Sequence, residues 1–530
     1  MNNILKFCIE KGVLLDKATF DFFSQFDETI AKDIIEKFSV LKEKVINKNS
    51  LSKNFDKIQN LIENKKVVEK IKVNFGISFE ILRESYVPEK EKKEEVNELG
   101  NLKILMSVPN ISKKIEPMDF VHYFRLRFNE IKNMLKERKE LDNLTSINKI
   151  SEKRQAVSAI GIVFDKRVSK NKNILLDIED LTGRTRVLVS KDKKDVYEKA
   201  KNILPDDILA IRGFGDKEII FANDIIYPDA MLSERTRLDR DESVAFISDT
   251  HVGSNNFLEN NFLKFIKWIN GETGDESQRE EAKKIKYLLI TGDTIDGVGV
   301  FPGQEDLLKI KDIKEQYKKL AEFLEMIRKD VKIVLCPGQH DGVRVAEPQP
   351  LIGAYYGEAL HKIENVILVS NPALVEIKNA GGKRGVKILM YHGASLNSFI
   401  NEIDSLRLEN AHKNPTRVVR EILKRRHLSS MHSAVTYIPN TKKDYLVISE
   451  VPDVINTADL HRTDVESYNG ILMICSSCWQ STTPFEEKVG NIPDPCKVPV
   501  LNLKTGKVKI LDFSSEDEEK KENISVGDGK

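Results

Sequence analysis

The sequence predicts an α+β multidomain chain in which a helical N-terminal module and a small β-barrel precede a larger domain of alternating strands and helices. Three observations carry this. Residues 1–75 space their apolar side chains as a helix does, residues 151–235 are short β-rich runs cut by glycine and charge, and from 240 onward apolar runs of strand length end in DTH, GDTID, PGQHD and HG. The 530 residues suffice for this division, since a domain takes roughly 100–200.

In the first module, FDFFSQFDETIAKDIIEKFSVLKEKVI contains no glycine or proline, and such a module suits partner docking. Residues 76–150 read as a charged linker, with PEKEKKEEVNELG as a solvated run, followed by a helix over 119–137. The aromatic stripe of that helix, Phe120, Tyr123, Phe124 and Phe128, reads as core rather than as a base-stacking platform. In the 151–235 region, AVSAIGIVFDKR, NILLDIEDLTGRTRVLVS and DILAIRGFGDKEIIFANDIIY give about five strands with one helix over 192–202, the pattern of an OB-type barrel. Such barrels bind single strands with basic loops and aromatics. Here Lys166, Arg167, Lys170 and Lys172 supply charge but the aromatics are few, so nucleic-acid contact and partner docking both stay open. The domain over 240–513 alternates SVAFIS, KYLLIT, VKIVLC and VKILMY with helical stretches, and residues 514–530 have the composition of a disordered tail.

Composition narrows the classes. Charged residues reach 32% against an average of about 25%, yet 84 basic and 83 acidic residues nearly cancel. Any nucleic-acid contact therefore comes from a local patch or from a partner. Five scattered cysteines do not form a disulfide framework. Cys475-x-x-Cys478, with Cys496 as the only nearby third thiol, reads as buried sulfur rather than a zinc site. No run is long and apolar enough for a membrane span, and the N-terminus lacks a signal-peptide pattern, so a soluble, cytoplasmic protein is expected.

The strand ends carry the chemistry, because ligand sites in open α/β sheets form beyond the carboxyl ends of strands. Asp249 and His251 lie two apart in SDTHVGS and can reach one metal if the strand breaks there. Asp293 follows Gly292, whose freedom lets the backbone turn and a carboxylate bridge two ions. Gln339, His340 and Asp341 arrive together in PGQHDG, His392 ends a fourth strand, and Asp459 and His461 follow a fifth run. Each piece alone is also the mark of an ordinary turn or a hydrogen-bonded histidine. However, four of the nine histidines (His251, His340, His392 and His461) follow strand-like runs of this one domain. Carboxylate with imidazole suits manganese, iron or zinc.

In this order the residues resemble the calcineurin-like metallophosphoesterase superfamily, whose motif series is Asp-x-His, Gly-Asp-x-x-Asp, Gly-Asn-His-Asp/Glu, a lone His before Gly, and Gly-His-x-His. The resemblance implies an α/β/β/α domain and two divalent metal ions, with manganese the favoured one. It puts Asp249, His251 and His461 on one ion, Asp293 between both, and Gln339, His392 and Asp459 on the second. His340 would stabilise the pentacoordinate phosphate and assist the leaving oxygen, oriented by Asp341 or Asp296. Two motifs depart from the series: Gln339 replaces the Asn of the third, and Ala458 and Asp459 replace the Gly and first His of the last.

The strings HDGVRVAEPQP, LKRRHLSSMHS, YLVISEVPDVINTADLH and SSCWQSTTPFEEKVGNIPDPCKVPVLNL further resemble the small subunits of archaeal family D DNA polymerases. That resemblance implies a 3′–5′ exonuclease that proofreads a DNA primer-template 3′ end and assembles with a large polymerase subunit and a sliding clamp. A catalytically decayed, purely structural subunit is the alternative. Arg344, Arg425 and Arg426 join Lys166 and Arg167 as candidate nucleic-acid contacts, the 425–426 pair also reading as a solvated helix end or a partner contact.

Overall fold

The computed structural model describes residues 3–24, 31–32, 35–36, 45–46, 98–109, 114–483, 486–487 and 492–514. The chain divides into two compact units, Met1–Glu95 and Val96–Lys530. In the first, helices Asn3–Glu10 and Lys17–Phe23 flank a parallel pair, Leu14–Leu15 with Val45–Ile46. The Asp16 carboxylate accepts from the Thr19 amide at 2.8 Å and starts the second helix. Most of the expected helical module beyond residue 24, the charge run up to 97 and the tail from 515 lie outside the described residues.

The second unit opens with a departure from the sequence reading. Residues assigned to a linker form strands Glu98–Leu99 and Leu102–Met106, and the latter pairs antiparallel with Ala373–Ile377. Helix Pro117–Lys136 follows, with Glu116 and Asp119 forming a capping box. It buries Tyr123 and Phe128, and Tyr123 stacks on Tyr437 with ring centroids 5.4 Å apart, so the aromatic stripe is core.

Strands Gln155–Val168, Ile174–Asp180, Gly183–Val189, Ile208–Gly215 and Ile219–Ile226 close into a barrel. The long first strand bends at a bulge between Val163 and Asp165 and so pairs with two neighbours, Ile174–Asp180 and Ile208–Gly215. The third strand meets the fifth in parallel, with helix Lys194–Lys201 in the crossover. At the tip of the hairpin between the second and third strands, Asp180 accepts from the amides of Thr182 and Gly183 at 2.7 and 3.0 Å. Gly213 is required where the barrel closes, because a Cβ there would lie 2.4 Å from the Phe221 carbonyl oxygen.

The remaining chain builds two stacked sheets. One has six strands, including β1 (Ser243–Ile247), β2 (Ile285–Thr291) and β3 (Lys332–Cys336), mutually parallel. The other has seven, including β4 (Val386–Met390) and β5 (Val454–Thr457), also parallel to each other, and Leu102–Met106. Side chains alternate along each strand. Val244 and Phe246 meet Val375, Ile388 and Val454 between the sheets. Ala245 and Ile247 face outward to Phe262, Phe265 and Leu320 of helices Glu259–Ile269 and Ile313–Glu325. On the far side, Leu389 and Ile455 pack on Phe399, Val419 and Ile422. The result is four layers, helix–sheet–sheet–helix, a mixed α/β architecture.

The barrel is fastened to these layers by buried charge. Arg425, 3% exposed, donates to Asp207 at 2.8 Å, to Glu421 at 2.6 Å and to the Asn202 carbonyl at 2.5 Å. Arg426 donates to the carbonyls of Ile448 and Ser449 at 2.7 and 2.9 Å. Both guanidiniums are therefore internal, which corrects their reading as nucleic-acid contacts or a solvated helix end: their partners come from distant sequence and close around them. A second knot centres on buried Asp444, which accepts from Tyr123 at 2.6 Å, Arg127 at 2.7 Å, His427 at 3.0 Å and the Leu446 amide at 2.9 Å. The five cysteines are buried and free, as the sequence suggested. Among the described residues no helix is long and apolar enough to cross a membrane.

Candidate metal centre

Five strand ends converge at one edge of the two sheets. Asp249 and His251 follow β1, Asp293 follows β2, Gln339 and His340 follow β3, His392 follows β4, and Asp459 and His461 follow β5. The turns are sharp. Asp249, His251, Asp293, Asp459 and His461 all have positive φ, between 46° and 68°, a conformation that costs a non-glycine residue about 1–3 kcal/mol. Two glycines permit the close approach. A Cβ on Gly292 would fall 2.1 Å from Nδ1 of His392, and one on Gly338 would fall 2.2 Å from Oδ1 of Asp293. The first two turns run in step, the amides of Asp249 and His251 donating to the carbonyls of Gly292 and Asp293, both at 3.0 Å.

Every imidazole here is held by Nδ1 and leaves Nε2 for the centre. His251 Nδ1 meets the Asp296 carboxylate at 3.1 Å, His461 Nδ1 meets Glu486 at 2.8 Å, His392 Nδ1 meets the Thr291 carbonyl at 3.1 Å, and His340 Nδ1 meets the Asp296 carbonyl at 2.8 Å. Such outer partners orient histidines that bind metals. The Nε2 atoms of His251 and His461 face each other at 3.3 Å, and Asp249 Oδ1 lies 3.4 Å from the latter. On the adjoining side, His392 Nε2 is 3.2 Å from Asp293 Oδ2 and 3.7 Å from Asp459 Oδ1. Asp249, His251 and His461 thus form one potential ligand group, and Asp249, Asp293 and His392 another, each with ligand atoms within 4.8 Å of one another.

The electrostatics are set by carboxylates and imidazoles buried against one another. Burial alone would raise the Asp249 and Asp293 pKa values, but His461 beside the first, and His392 and His340 beside the second, hold both below the carboxylate range. Burial opposes charging of His392, yet Asp293 outweighs it and raises its pKa well above the ordinary value. Asp459 is pushed up to about 6 by burial, only partly offset by His392. Asp249 is fully buried, and neither of its carboxylate oxygens has a hydrogen-bond partner; His392 Nε2 has none either. Buried polar atoms left so are rare unless an ion or water satisfies them. The donor set therefore fits divalent cations bound by imidazole and carboxylate.

Other residues singled out from sequence fall differently. Gln339 is half-buried beside the centre, and its amide makes no hydrogen bond among the described residues. Asp341 does not touch the His340 ring. Its carboxylate takes hydrogen bonds from the Thr294 amide at 3.1 Å and hydroxyl at 2.5 Å, the Gly338 amide at 2.8 Å and the Tyr317 hydroxyl at 3.1 Å, which ties the β2 and β3 loops together. This corrects its reading as a residue that orients His340: the Asp296 backbone carbonyl does that, while the Asp296 side chain serves His251. Arg344 donates to the carbonyls of Ala346 and Pro348 in its own loop at 3.3 and 2.6 Å. Lys166 donates to the barrel carbonyls of Lys201 and Ile203 at 2.5 and 2.8 Å. Arg167 is exposed and paired with Asp165 and Asp177 at 3.3 and 3.2 Å. Sequence reasoning missed Glu486, whose pairing with His461 no spacing announces, and Asn371, whose side chain accepts from the His392 amide at 2.9 Å.

Comparison with known proteins follows this geometry. Residues 244–465, which hold all five of these strand ends, match the family of DNA polymerase alpha/epsilon B subunits. The DNA polymerase II small subunit of Methanothermobacter thermautotrophicus is 38% identical over 396 residues, covering 75% of this chain and 79% of that protein. That of Archaeoglobus fulgidus is 36% identical over 418 residues, 78% and 81%. A solved archaeal phosphodiesterase covers 51% of this chain and 98% of its own at 16% identity, with a TM-score of 0.26. The chain belongs to the small-subunit family of archaeal family D DNA polymerases, the DNA polymerase II small subunits.

Proposed function

We propose that this chain hydrolyses phosphodiester bonds at the 3′ end of DNA, removing nucleoside monophosphates behind a polymerase, and that it assembles with a large subunit that performs synthesis. The buried Asp249 carboxylate without a hydrogen-bond partner, ringed by His251, Asp293, His392 and His461, carries the reading. On this reading the four layers are a calcineurin-like phosphoesterase domain, the closed barrel is OB-type, and a primer-template end and a sliding clamp are further partners.

Two divalent cations, manganese by preference, would neutralise phosphate charge and make a water acidic enough to attack near neutral pH. Asp249, His251 and His461 would hold one and Asp293, His392, Gln339 and Asp459 the other, with Asp293 facing both. His340 stands with Nε2 4.0 Å from Asp293 Oδ2 and Nδ1 fixed on the Asp296 carbonyl. In its charged form that Nε2–H points into the centre, where it can donate to a phosphate oxygen or protonate the leaving oxygen. Gly292 and Gly338 keep these groups close enough to act on one phosphate.

A second reading, a structural subunit without turnover, is favoured by one observation: both departures from the phosphoesterase motifs, Gln339 and Asp459, fall on the second ion. Digestion of an end-labelled, 3′-mismatched DNA with manganese separates the two. Stepwise 3′ shortening by the native chain, absent from Asp293→Ala, is expected. No shortening with manganese, magnesium, zinc or nickel, alone and with the large subunit, would leave the structural role.

A further inference from the structure

Beside His340 the protein displays apolar side chains that it would ordinarily bury. Val298, Val300 and Phe301 are 40%, 39% and 40% exposed on the loop after Asp296, and Val345 is 61% exposed on the loop after His340. The Phe301 ring lies edge-on to the His340 imidazole, 6.5 Å between centroids.

This loop is held, not loose. Gln316, fully buried, accepts from the Gly297 amide at 2.9 Å and donates to the Gly297 carbonyl at 3.0 Å. Gln304, also fully buried, accepts from the Val300 amide at 2.9 Å and donates to the Asp296 carbonyl at 2.7 Å and carboxylate at 3.0 Å. Gly297 has φ 72°, and a Cβ there would sit 2.3 Å from the His340 carbonyl oxygen, so the loop seats directly on the His340 backbone. Both glutamines are hydrogen-bonded, so their burial holds the loop without penalty, and the fixed, exposed apolar tip they present is the kind of surface that takes a partner.

We infer that Phe301, with Val298 and Val300 on the same loop, is a stacking subsite for the nucleobase of the nucleotide being cleaved. The inference rests on the phosphodiesterase reading and names its substrate more closely: an unpaired terminal nucleotide. Position argues for a base as occupant, since a nucleotide whose phosphate meets His340 carries its base about one ring's reach away. A flat aromatic face takes any of the four bases without hydrogen-bond readout. A base still paired and stacked in duplex cannot present its face there. The subsite thus selects frayed or mismatched ends without reading sequence.

The test uses the full chain, native and Phe301→Ala, with Phe301→Tyr as a conservative rescue. Two single-stranded oligonucleotides are bound in calcium, one ending in 2-aminopurine and one in an abasic residue. The expected result is ~10-fold weaker binding of the 2-aminopurine end by Phe301→Ala, recovery in Phe301→Tyr, and no difference for the abasic end. Equal binding of both ends by native and variant protein would overturn the inference. So would a variant that binds both normally but loses the large subunit, which would make the rim a protein contact. Hydrolysis is measured separately on methyl p-nitrophenyl phosphate, which has no base. Failure of the native chain there and on DNA sinks the phosphodiesterase reading, whereas a base-dependent binding difference stands on its own.

Discussion

Two clusters of buried charge sit in the same unit and are built on opposite terms. Around Asp444 and Asp207, each carboxylate has its full complement of donors: Tyr123, Arg127 and His427 for the first, Arg425, Ser430 and the Leu204 amide for the second. At the strand ends, Asp249 has no hydrogen-bond partner, and five residues take left-handed backbone. Burial is similar in both. What separates architecture from function is whether the buried charge is satisfied within the chain or waits for something outside it.

Breaking the waiting cluster has the largest expected effect. Asp249→Asn should lower 3′-end hydrolysis by at least ~10³-fold, because interactions made to the transition state are lost. The same variant should lose less stability without metal than a variant of the satisfied cluster, since Asp249 has the single ion pair with His461 at 3.4 Å and no hydrogen bond. Parallel activity assays and urea denaturation in chelator check both halves, and a large loss of stability would break the comparison. The satisfied cluster predicts the reverse. Asp444→Ala leaves Arg127 buried and unpaired and should destabilise by about 3–5 kcal/mol, while turnover per folded molecule is retained.

Acid sharpens the contrast at the Asp444 knot. Burial, reinforced by Arg127, lowers the His427 pKa to about 4. The folded protein therefore keeps this imidazole neutral between about pH 6.5 and 4, where the unfolded chain binds a proton, so stability falls as pH falls through that window, by on the order of 3 kcal/mol from this group. Asp444 acts in the same direction only at lower pH, below about pH 4 where the unfolded carboxylate takes up its proton: burial opposes its ionisation but Arg127 holds it well below the carboxylate range. Denaturation midpoints at pH 7 and 4.5 should converge in His427→Phe relative to the native chain. Smallest is the effect of Asp459→His, expected to shift manganese affinity by about 10- to 100-fold, read by calorimetry.

The strands were legible because each is a short apolar run broken by polar residues, and the site because Asp249, His251, Asp293, His340, His392 and His461 stand at those breaks. Arg425 and Arg426 were misread for a physical reason: a basic pair closing a helix favours its dipole whether solvent or a distant carboxylate surrounds it, and Asp207 lies in another part of the chain. Leu102–Met106 was missed since five residues after a charge run carry no periodicity, and its pairing is settled by an edge that the chain makes only later. The Phe301 loop gave no signal at all, because an exposed apolar tip and a buried one look alike in sequence.

That early strand has a consequence for how the molecule comes into being. Residues 102–106 leave the ribosome first and cannot pair until 373–377 emerges, so the barrel and its helix are born as a parenthesis within an unfinished sheet. A fragment begun at the barrel would lack the opening bracket. Its strand Ala373–Ile377 would keep one flank of amides and carbonyls without their native partner strand, open to pairing with another chain.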